Sequence, residues 1–298
     1  MKNSVKGNIL LLITAFIWGF SFVAQKSGTT IGSFTFNFSR NLVTGFFLLL
    51  VILIIPKLFP KMKETKEDKK VLFQGGIACG IFLFLAMSLQ QIGLNYTTAG
   101  KSGFITALYI IIVPLLGIFI GKKVSIKMWV SVFMAAIGLY LLSIQAGVGF
   151  KISKGDFLVL LCAFGFAFHI LVIDHFSPKV NGIKMSCIQF FVAALLSGTA
   201  MVSFETFRWS DVQTVLFPIL FAGVISSGVG FTFQIIAQKD TNPTVASLIM
   251  SLESVFAVLG AALLLHEKLT TRELVGCIIM FVAIILAQIP ERKKRLAK

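Results

Sequence analysis

The amino-acid sequence predicts an all-α polytopic membrane protein, with ten transmembrane helices as two inverted five-helix repeats and both termini cytoplasmic. Three observations predict this fold class: the composition, the recurrence of long uncharged runs, and an internal similarity between the two halves of the chain. The 298 residues are 57% hydrophobic and 13% charged, with a mean hydropathy of +0.93. Ordinary soluble domains are about 45–50% apolar and about 25% charged. A soluble chain of this composition would expose large apolar patches and aggregate.

Uncharged runs near twenty residues long recur from one end of the chain to the other, and the tenth relies on flanking residues to span a bilayer. A hydrocarbon core of about 30 Å needs roughly 20 apolar residues at a rise of about 1.5 Å per residue. Most breaks between runs are short, so sequential helices are predicted to be antiparallel neighbours. The first run resembles a signal peptide but is long for one, and we interpret it as a retained helix. The predicted spans are 8–27, 32–55, 71–92, 97–120, 126–144, 155–175, 183–204, 212–237, 242–265 and 270–289.

Small residues and prolines refine the prediction for individual spans. Two small residues four apart on one helix face let the backbones of neighbouring membrane helices approach closely. A proline removes one helical hydrogen bond and kinks its span. A serine- and glycine-rich run in the eighth span is either flexible or closely packed. In chain order these features are Gly76 and Gly80 in the third span, Pro114, Gly117 and Gly121 in the fourth, Ala194 and Gly198 in the seventh, and Pro218 with 226–230 in the eighth.

The placement of basic residues predicts how the spans are oriented. Lysine and arginine collect in cytoplasmic loops during membrane insertion. With the N-terminus inside, nineteen of the 27 basic residues fall on the cytoplasmic face and five on the opposite face. Both termini are therefore predicted to be cytoplasmic. The same rule accounts for the net charge of +15 without a nucleic-acid partner.

The two halves of the chain resemble each other at an offset of 145–148 residues. Lys6-Gly7-Asn8 opens the first span and Lys154-Gly155-Asp156 opens the sixth, and at the same offset Trp18 falls on Phe166. These ordered matches predict two five-helix units, residues 1–147 and 148–298. Because five is odd, the units enter the membrane from opposite sides. Inverted repeats of this kind form alternating-access transporters with a substrate site near the midplane.

Charged side chains inside the spans are functional candidates, because each costs about 2.5–3.5 kcal/mol at a helix centre. Glu253 lies at the centre of the ninth span, and we predict that it faces a cavity and binds a cationic group or a proton. Arg40 suits a substrate carboxylate, although it equally suits an anchor for helix-end carbonyls. Lys101 is close enough to its helix end to snorkel, or it attracts anions at a pathway mouth. His169 titrates in the range of proton coupling, although a neutral histidine bonded to a carbonyl is commoner.

Uncharged polar and aromatic side chains complete the predicted substrate pathway. Each brings hydrogen-bonding capacity to a place where an unmet partner is costly, and some are expected to bond across helices instead. Trp18 and Tyr109 rank first, because aromatic walls suit organic solutes. The other candidates are Gln25, Asn37, Gln90, Gln91 and Gln234.

Several stretches together resemble the EamA branch of the drug/metabolite transporter superfamily, and the resemblance covers essentially the whole chain. It implies a ten-helix carrier of amino acids, metabolites or drugs, and mostly an exporter. One departure is that the Gly-Glu pair common after the fourth span is Gly121-Lys122 here. The stretches are Trp18-Gly19-Phe20-Ser21, Arg40, the run from Tyr96-Thr97-Thr98-Ala99 to Pro114, and Glu267-Lys268-Leu269-Thr270.

The predicted function is secondary active or facilitative transport of small organic solutes by alternating access, outward across the cytoplasmic (inner) membrane. The expected partners are the lipid bilayer and a small-molecule substrate, without a cofactor. Proton coupling and simple flow down a gradient both stay open as energy sources. The sequence does not fix the substrate or the oligomeric state.

An intramembrane lipid-modifying enzyme and a channel are the alternatives. An enzyme needs clustered acids, a metal set or a nucleophile with its base, but the 12 acidic residues lie nearly all in loops or termini. The four cysteines and three histidines lack metal-binding spacing. A channel usually needs oligomeric symmetry and a filter segment, and inverted repeats argue against it. The chain is therefore predicted not to be an enzyme.

Overall fold

A computed structural model describes residues 2–58, 68–143, 153–264 and 270–289, and within these ranges the regular secondary structure is entirely helical. A π-helical segment, Phe221–Phe231, connects two of the helices, and 3-10 turns follow the first and seventh. The helices are α1 (Lys2–Ser27), α2 (Ser33–Leu58), α3 (Lys69–Leu94), α4 (Ala99–Ala107), α5 (Tyr109–Phe119), α6 (Ile126–Ser143), α7 (Lys154–Phe176), α8 (Gly182–Phe204), α9 (Trp209–Thr214), α10 (Leu216–Leu220), α11 (Thr232–Gln238), α12 (Pro243–Met250), α13 (Glu253–Leu264) and α14 (Thr271–Gln288).

Helical residues occupy each of the ten predicted ranges, and the chain is a multi-pass all-α membrane protein. Within the described ranges, eight helical segments are long and apolar enough to cross a membrane. Two shorter apolar segments, Ile126–Leu141 and Pro243–Leu259, lie in the fifth and ninth predicted spans. Most of the basic loop at 57–70, the Glu267-Lys268 pair and the basic tail lie outside the described residues.

The fourth and ninth predicted spans are each broken into two helices, which the sequence did not predict. In the fourth, the N–H of Leu108 donates to the Ile105 carbonyl at 3.2 Å, one residue short of the α-helical partner. In the ninth, the Ser251 hydroxyl donates to the Leu248 carbonyl at 2.8 Å, a competing bond of the kind that bends helices. Tyr109 begins α5 and Glu253 begins α13. The two breaks therefore occupy corresponding positions in the two halves.

The eighth predicted span contains the π-helical segment, which packs closely against α1 and α2. Of the two alternatives for its serine- and glycine-rich run, close packing is the one observed. π-Helical turns are rare and frequently lie at functional sites. Side chains of α1 and α2 satisfy three of its carbonyl groups. The bonds run from Thr44 Oγ1 to Gly223 O at 2.7 Å, from Trp18 Nε1 to Ser226 O at 3.1 Å, and from Thr14 Oγ1 to Gly230 O at 3.2 Å.

The helix–helix contacts come in matching sets: each contact has a counterpart between the corresponding helices of the opposite halves. α2 packs along α8, and α6 packs along α14. α1 lies against the π-helical segment and α11, just as α7 lies against α3. α1 also contacts α12 and α13, as α7 contacts α4 and α5. Each half therefore completes the packing of the other.

The Lys-Gly openings of the first and sixth spans make equivalent close approaches. A Cβ atom placed on Gly7 would lie 2.6 Å from Thr241 Oγ1 in the turn after α11. A Cβ atom placed on Gly155 would lie 2.9 Å from the backbone of Tyr96 in the turn after α3. A side chain at either glycine would therefore collide with the other half of the chain.

The predicted helix-packing motif at Gly117 and Gly121 is wrong. α5 ends at Phe119, and Gly121 turns the chain with a φ of +80°, a conformation that suits glycine. Neither glycine faces another helix. By contrast, Gly76 and Gly80 do lie directly against α8.

Candidate functional site

A cavity lies between helices of both halves. α1, α2, α3, α4 and α5 contribute from the first half, and α7, the π-helical segment, α11 and α13 from the second. The open space within it is about 40 Å³, room for a few water molecules. Its walls are formed by Trp18, Ser21, Phe22, Gln25, Arg40, Met87, Gln90, Thr106, Tyr109, Phe166, Ile170, Ser226, Phe231, Gln234 and Glu253.

The second helices of the two broken spans, α5 and α13, meet at the cavity through their first residues. Tyr109 Oη donates to Glu253 Oε1 at 3.1 Å, and both side chains are buried. Ser254 Oγ, the next residue, donates to the Gly103 carbonyl of α4 at 3.5 Å. Because Glu253 begins α13, its carboxylate lies at the positive end of that helix dipole. This junction lies in the cavity wall. It also joins the break in the first half to the corresponding break in the second half.

Arg40 brings a buried guanidinium to the cavity, with only 2% of the residue exposed. Its Nη1 donates to Gln25 Oε1 at 3.1 Å, and Nε and Nη2 have no hydrogen-bond partner. The group also lies over the ring of Phe36, 5.6 Å from its centroid. Gln25 is in turn held by Gln91, whose Nε2 donates to the Gln25 carbonyl at 3.0 Å. The guanidinium is therefore held in place while keeping donors free.

Neither buried charge of the cavity takes part in an ion pair among the described residues. The observed pairs join Lys101 to Asp156 and Lys122 to Asp174. Arg40 and Glu253 line one cavity without forming a salt bridge to each other. The cavity thus holds a cationic and an acidic group that stay separate.

Aromatic rings form the apolar wall of the cavity. The centroid of Phe231 lies 4.6 Å from that of Trp18 and 6.3 Å from that of Phe166. Trp18 and Phe166 are the pair that the internal repeat aligns, and they approach the same ring from different halves. The two residues that match in the sequence comparison therefore contact the same ring in the site.

Two glutamines at corresponding positions supply further polar groups. Gln90 Nε2 donates to Thr106 Oγ1 at 3.0 Å, and Gln234 Nε2 donates to Gln238 Oε1 at 3.0 Å. The Gln234 Oε1 atom is buried without a partner. One acceptor therefore faces the cavity in addition to the Arg40 donors.

Seven of the eleven residues predicted for the substrate pathway line this cavity, and three others bond across helices instead. Asn37 donates to the Met87 carbonyl at 3.1 Å, and Gln91 bonds the backbone of Gln25. His169 Nε2 lies 2.9 Å from Gln189 Oε1, and the ring is fully buried. The seven that line the cavity are Trp18, Gln25, Arg40, Gln90, Tyr109, Gln234 and Glu253.

Lys101, the remaining predicted residue, belongs to a polar cluster away from the cavity wall. Its Nζ lies 2.6 Å from Asp156 Oδ2, and 38% of its side chain is exposed. Thr97 Oγ1 donates to the other Asp156 oxygen at 2.8 Å. Lys26 Nζ donates to the carbonyls of Leu94 and Thr97 at 2.5 and 2.9 Å. This mouth cluster joins the ends of α1 and α3 to the starts of α4 and α7.

Several lining residues were missed by the sequence analysis, most of them apolar. The repeat alignment could have identified Phe166, because it falls on Trp18. Ser21 belongs to the Trp18-Gly19-Phe20-Ser21 stretch and could also have been found. No sequence signal separates Phe22, Met87, Ile170 and Phe231 from the other apolar residues of their helices.

No group of side chains suited to holding a metal ion occurs in the part of the chain that the structure describes. Histidine, cysteine, aspartate and glutamate side chains do not gather there in groups of three or more. The cysteines Cys79, Cys162, Cys187 and Cys277 are buried and separate.

The sequence and the structure both match known proteins. The family model of the EamA-like transporter family matches residues 5–144 and 153–288. An uncharacterized transporter of Archaeoglobus fulgidus is 32% identical over 281 residues, covering 94% of this chain and 84% of the relative. The uncharacterized transporter YvbV of Bacillus subtilis is 26% identical over 301 residues, covering 97% and 93%. A solved crystal structure aligns with a TM-score of 0.74 at 16% identity, covering 95% of this chain and 96% of that one, which indicates a common fold.

Proposed function

The chain belongs to the EamA-like transporter family, and from this premise we propose that it carries small organic solutes across the membrane by alternating access. The family match confirms the resemblance seen in the sequence, and relatives along nearly the whole chain are named as transporters. The cavity between the two halves is the proposed substrate site.

The observation that carries this proposal is the position of the cavity at the junction of two broken helices. Secondary transporters with inverted repeats bind substrate near the bilayer midplane, where discontinuous helices expose helix ends and polar groups. Here the two second helices, α5 and α13, begin at Tyr109 and Glu253 in the cavity wall. Polar groups and aromatic rings converge at the same place, as a solute site requires.

Two inverted five-helix units, residues 1–147 and 148–298, are part of the proposal. The exchange symmetry of the helix contacts supports them, and so does the family match in two parts. With the two shorter apolar segments included, the spans number ten. α6 packs along α14 and the α12–α13 pair packs against α1, which supports the crossing of both short segments. Ten spans and the distribution of basic residues support cytoplasmic termini.

Alternating access follows from the symmetry of the fold. Two repeats of the same architecture can adopt two packings of similar free energy, one open to each side. The substrate site stays between the halves while access to it changes. The family resemblance favours export across the cytoplasmic membrane.

Counterflow in proteoliposomes tests the proposal. Purified protein is reconstituted with unlabelled solute pools inside, and uptake of labelled solute is measured as the pools are varied. We expect saturable exchange, and Glu253→Gln should lower its initial rate by about tenfold, because a buried hydrogen-bonding partner changes. Glu273→Gln, a carboxyl at the exposed start of α14, is the matched control and should leave exchange unchanged. Conductance without saturation would indicate a channel instead.

A pH gradient across the same vesicles separates the two energy sources. Proton coupling predicts net solute accumulation driven by the imposed gradient. Facilitated flow predicts that accumulation stops when the solute concentrations on the two sides are equal.

Fusions of reporter domains to both termini and to the 144–152 connection test the orientation, since the termini should share one side and the connection the other.

A further inference from the structure

Resting on the proposed function, we propose that the substrate site has a second, covered part: a hydrogen-bonding subsite at His169 that the ring of Phe231 closes off from the cavity. The subsite accepts an uncharged hydrogen-bond donor of the solute, either a hydroxyl or an amide N–H group. It joins the cavity when the Phe231 ring swings aside.

The internal repeat places His169 in the cavity wall. At an offset of 148 residues, three positions of α1 fall on three positions of α7: Trp18 on Phe166, Ser21 on His169, and Phe22 on Ile170. Both members of the first and third pairs line the cavity, whereas of the second pair only Ser21 does. Residues three and four apart share a helix face, so His169 lies on the same face of α7 as Phe166. His169 therefore completes the matched wall but is covered.

The ring of Phe231 is the cover. It lines the cavity and lies edge-on to the imidazole of His169, with the ring centroids 5.7 Å apart. Its counterpart in the first half is Met87, which lies three residues before Gln90 as Phe231 lies three residues before Gln234. A methionine side chain is narrow and flexible. The first half therefore leaves its polar position on α1 in the cavity wall, whereas the aromatic ring of the second half hides the equivalent position.

A buried chain of hydrogen bonds holds His169 in place behind the ring. His169 Nε2 lies 2.9 Å from Gln189 Oε1, and Gln189 Nε2 donates to Ser186 Oγ at 3.5 Å. Thr232 Oγ1 donates to the same serine oxygen at 2.8 Å. Because Thr232 directly follows Phe231 in the chain, the polar groups behind the ring are joined to the element that carries the ring.

This chain has a counterpart at the uncovered side of the cavity. Gln189 is the eighth residue of α8, and Arg40 is the eighth residue of α2. Arg40 bonds Gln25 of α1, as Gln189 bonds His169 of α7. Each half therefore links its first two long helices through one polar pair, and the pair of the first half already lines the cavity.

The free atom of the covered pair is His169 Nδ1, which is buried without a hydrogen-bond partner. Because Gln189 Oε1 can only accept, Nε2 carries the ring hydrogen, and Nδ1 of the neutral ring is left as an acceptor. Buried polar atoms are normally hydrogen-bonded. A hydroxyl or an amide N–H group of a solute satisfies Nδ1 without bringing a charge into an apolar region, where a charge is costly.

The small size of the cavity requires an opening of this kind. Its open space of about 40 Å³ holds only a few water molecules, so side chains of the wall must move before an organic solute fits. Phe231 is the last residue of the π-helical segment, and such segments frequently lie at functional sites. Movement of its ring adds volume and the His169 acceptor at the same time.

Chemical access to His169 tests the cover without reference to any solute. Diethyl pyrocarbonate modifies an imidazole at its unprotonated nitrogen, and mass spectrometry of peptides follows each histidine of the purified protein separately. We expect Phe231→Ala to speed the modification of His169 by at least about tenfold, because the ring otherwise has to move before the reagent reaches Nδ1. Phe231→Met copies the first half and should give a smaller increase, which decides the test if Phe231→Ala does not fold.

Phe82→Ala is the matched control for these variants. Phe82 stacks on Phe168, the neighbour of His169 in α7, but it lies outside the cavity wall. Its removal should leave the modification of His169 unchanged. Equal rates in the unaltered protein and both Phe231 variants would overturn the cover, as would an equal increase in Phe82→Ala.

Pairs of compounds that differ by one hydrogen-bond donor test the class of ligand. Phenol and anisole form one pair, and benzamide and N,N-dimethylbenzamide form the other, since methylation removes the donor and keeps the body. Inhibition of counterflow is measured for each compound. In at least one pair we expect the donor to inhibit about fivefold more strongly, as one net hydrogen bond allows.

Two histidine variants assign this preference to one residue. His169→Leu removes the acceptor and should abolish the preference for the donor. His175→Leu is the matched control and should retain the preference, because His175 lies at the exposed end of the same helix, beside Lys179.

Failure of the inference is distinguishable from failure of the transport proposal. Equal inhibition within both pairs, a preference that survives His169→Leu, or a lack of inhibition by all four compounds would overturn the subsite. Saturable counterflow of any solute would then leave transport standing. The absence of saturable counterflow for every solute pool would overturn transport itself, while the modification of His169 would still decide whether Phe231 covers it.

Discussion

Tyr109 and Glu253 show how one hydrogen bond can join the two halves of the molecule at the proposed substrate site. The phenol donates to the carboxyl at 3.1 Å, and each residue begins the second helix of a broken pair. The bond therefore fixes the relative position of two helix starts as well as two side chains. Any movement of one half against the other must change the surroundings of this bond.

Replacing Tyr109 by phenylalanine removes that bond and keeps the ring. We expect Tyr109→Phe to lower the initial rate of counterflow by about tenfold, since a buried bond to an ionisable group contributes about 1.5–3 kcal/mol. Tyr140→Phe is the matched control, because that ring is exposed on α6 and its stacking with Arg272 needs no hydroxyl. Equal rates for both variants and the unaltered protein would exclude a transport role for the bond.

Sequence reasoning could rank polar residues for the site but could not assign their partners. Asn37 and Arg40 lie three residues apart on α2, and both are buried polar groups in an apolar helix. Arg40 reaches the cavity, whereas Asn37 bonds the Met87 carbonyl of α3. A high cost of burial predicts that each has a partner, but only the packing of neighbouring helices decides which one.

At the scale of elements, the helical segments were predictable and their interruptions were not. A membrane span can be predicted because every residue of a run adds to its length and to its apolar character. The break at Leu108 lies in the run 104–113, which contains no glycine, proline or charged residue, so no obvious local signal marks it. Pro114 is the obvious breaking residue, yet α5 continues past it to Phe119.

The break in the ninth span has a local cause that can be tested. Ser251 bonds the Leu248 carbonyl, and alanine at this position removes the competing bond and favours a continuous helix. We expect Ser251→Ala to leave stability unchanged or raise it by about 0.5 kcal/mol. Because Glu253 would then shift at the cavity, we expect counterflow to fall by about threefold or more.

A matched control for this variant exists in an unbroken helix. Ser203 on α8 makes the same kind of bond, from its hydroxyl to the Thr199 carbonyl at 2.9 Å, but on an exposed face. Ser203→Ala should therefore leave counterflow unchanged. The measurement is the initial rate together with the thermal unfolding midpoint. A loss of stability in Ser251→Ala, or an undiminished rate, would contradict a functional break.

At the scale of the whole molecule, the repeat was the most informative signal in the sequence. Single matches such as Trp18 with Phe166 are weak, because apolar helices resemble one another by composition. Their order along the chain agrees with the helix contacts, because corresponding helices of the two halves make corresponding contacts. What the sequence could not supply is the asymmetry between the halves, since that depends on which contacts each end of the molecule forms.

The mouth cluster is one such asymmetry, because its counterpart in the other half lacks the charges. Asp156, in the first turn of α7, pairs with Lys101, whereas the corresponding residue of α1 is Asn8. On the same predicted face, Glu205 of the second half accepts hydrogen bonds from the N–H groups of Phe34 and Thr35 at the start of α2, at 2.9 and 2.8 Å. Two polar ties between the halves thus lie on the predicted outer face.

Weakening one tie on each face should shift access in opposite directions. Asp156→Asn breaks the pair with Lys101, and Asp174→Asn breaks the pair with Lys122 on the predicted cytoplasmic face. A partly exposed ion pair contributes about 1 kcal/mol at most, so each change should alter the ratio of outward-open to inward-open states by up to about fivefold.

A cysteine introduced in place of Thr106, in the cavity wall, reports access after the four native cysteines are replaced. We expect Asp156→Asn to speed its labelling by a membrane-impermeant thiol reagent from outside, and Asp174→Asn to speed labelling from the cytoplasmic side. Faster labelling from the same side in both variants would mean that these pairs close one common mouth, and the two-sided carrier would then need a different pair of gates.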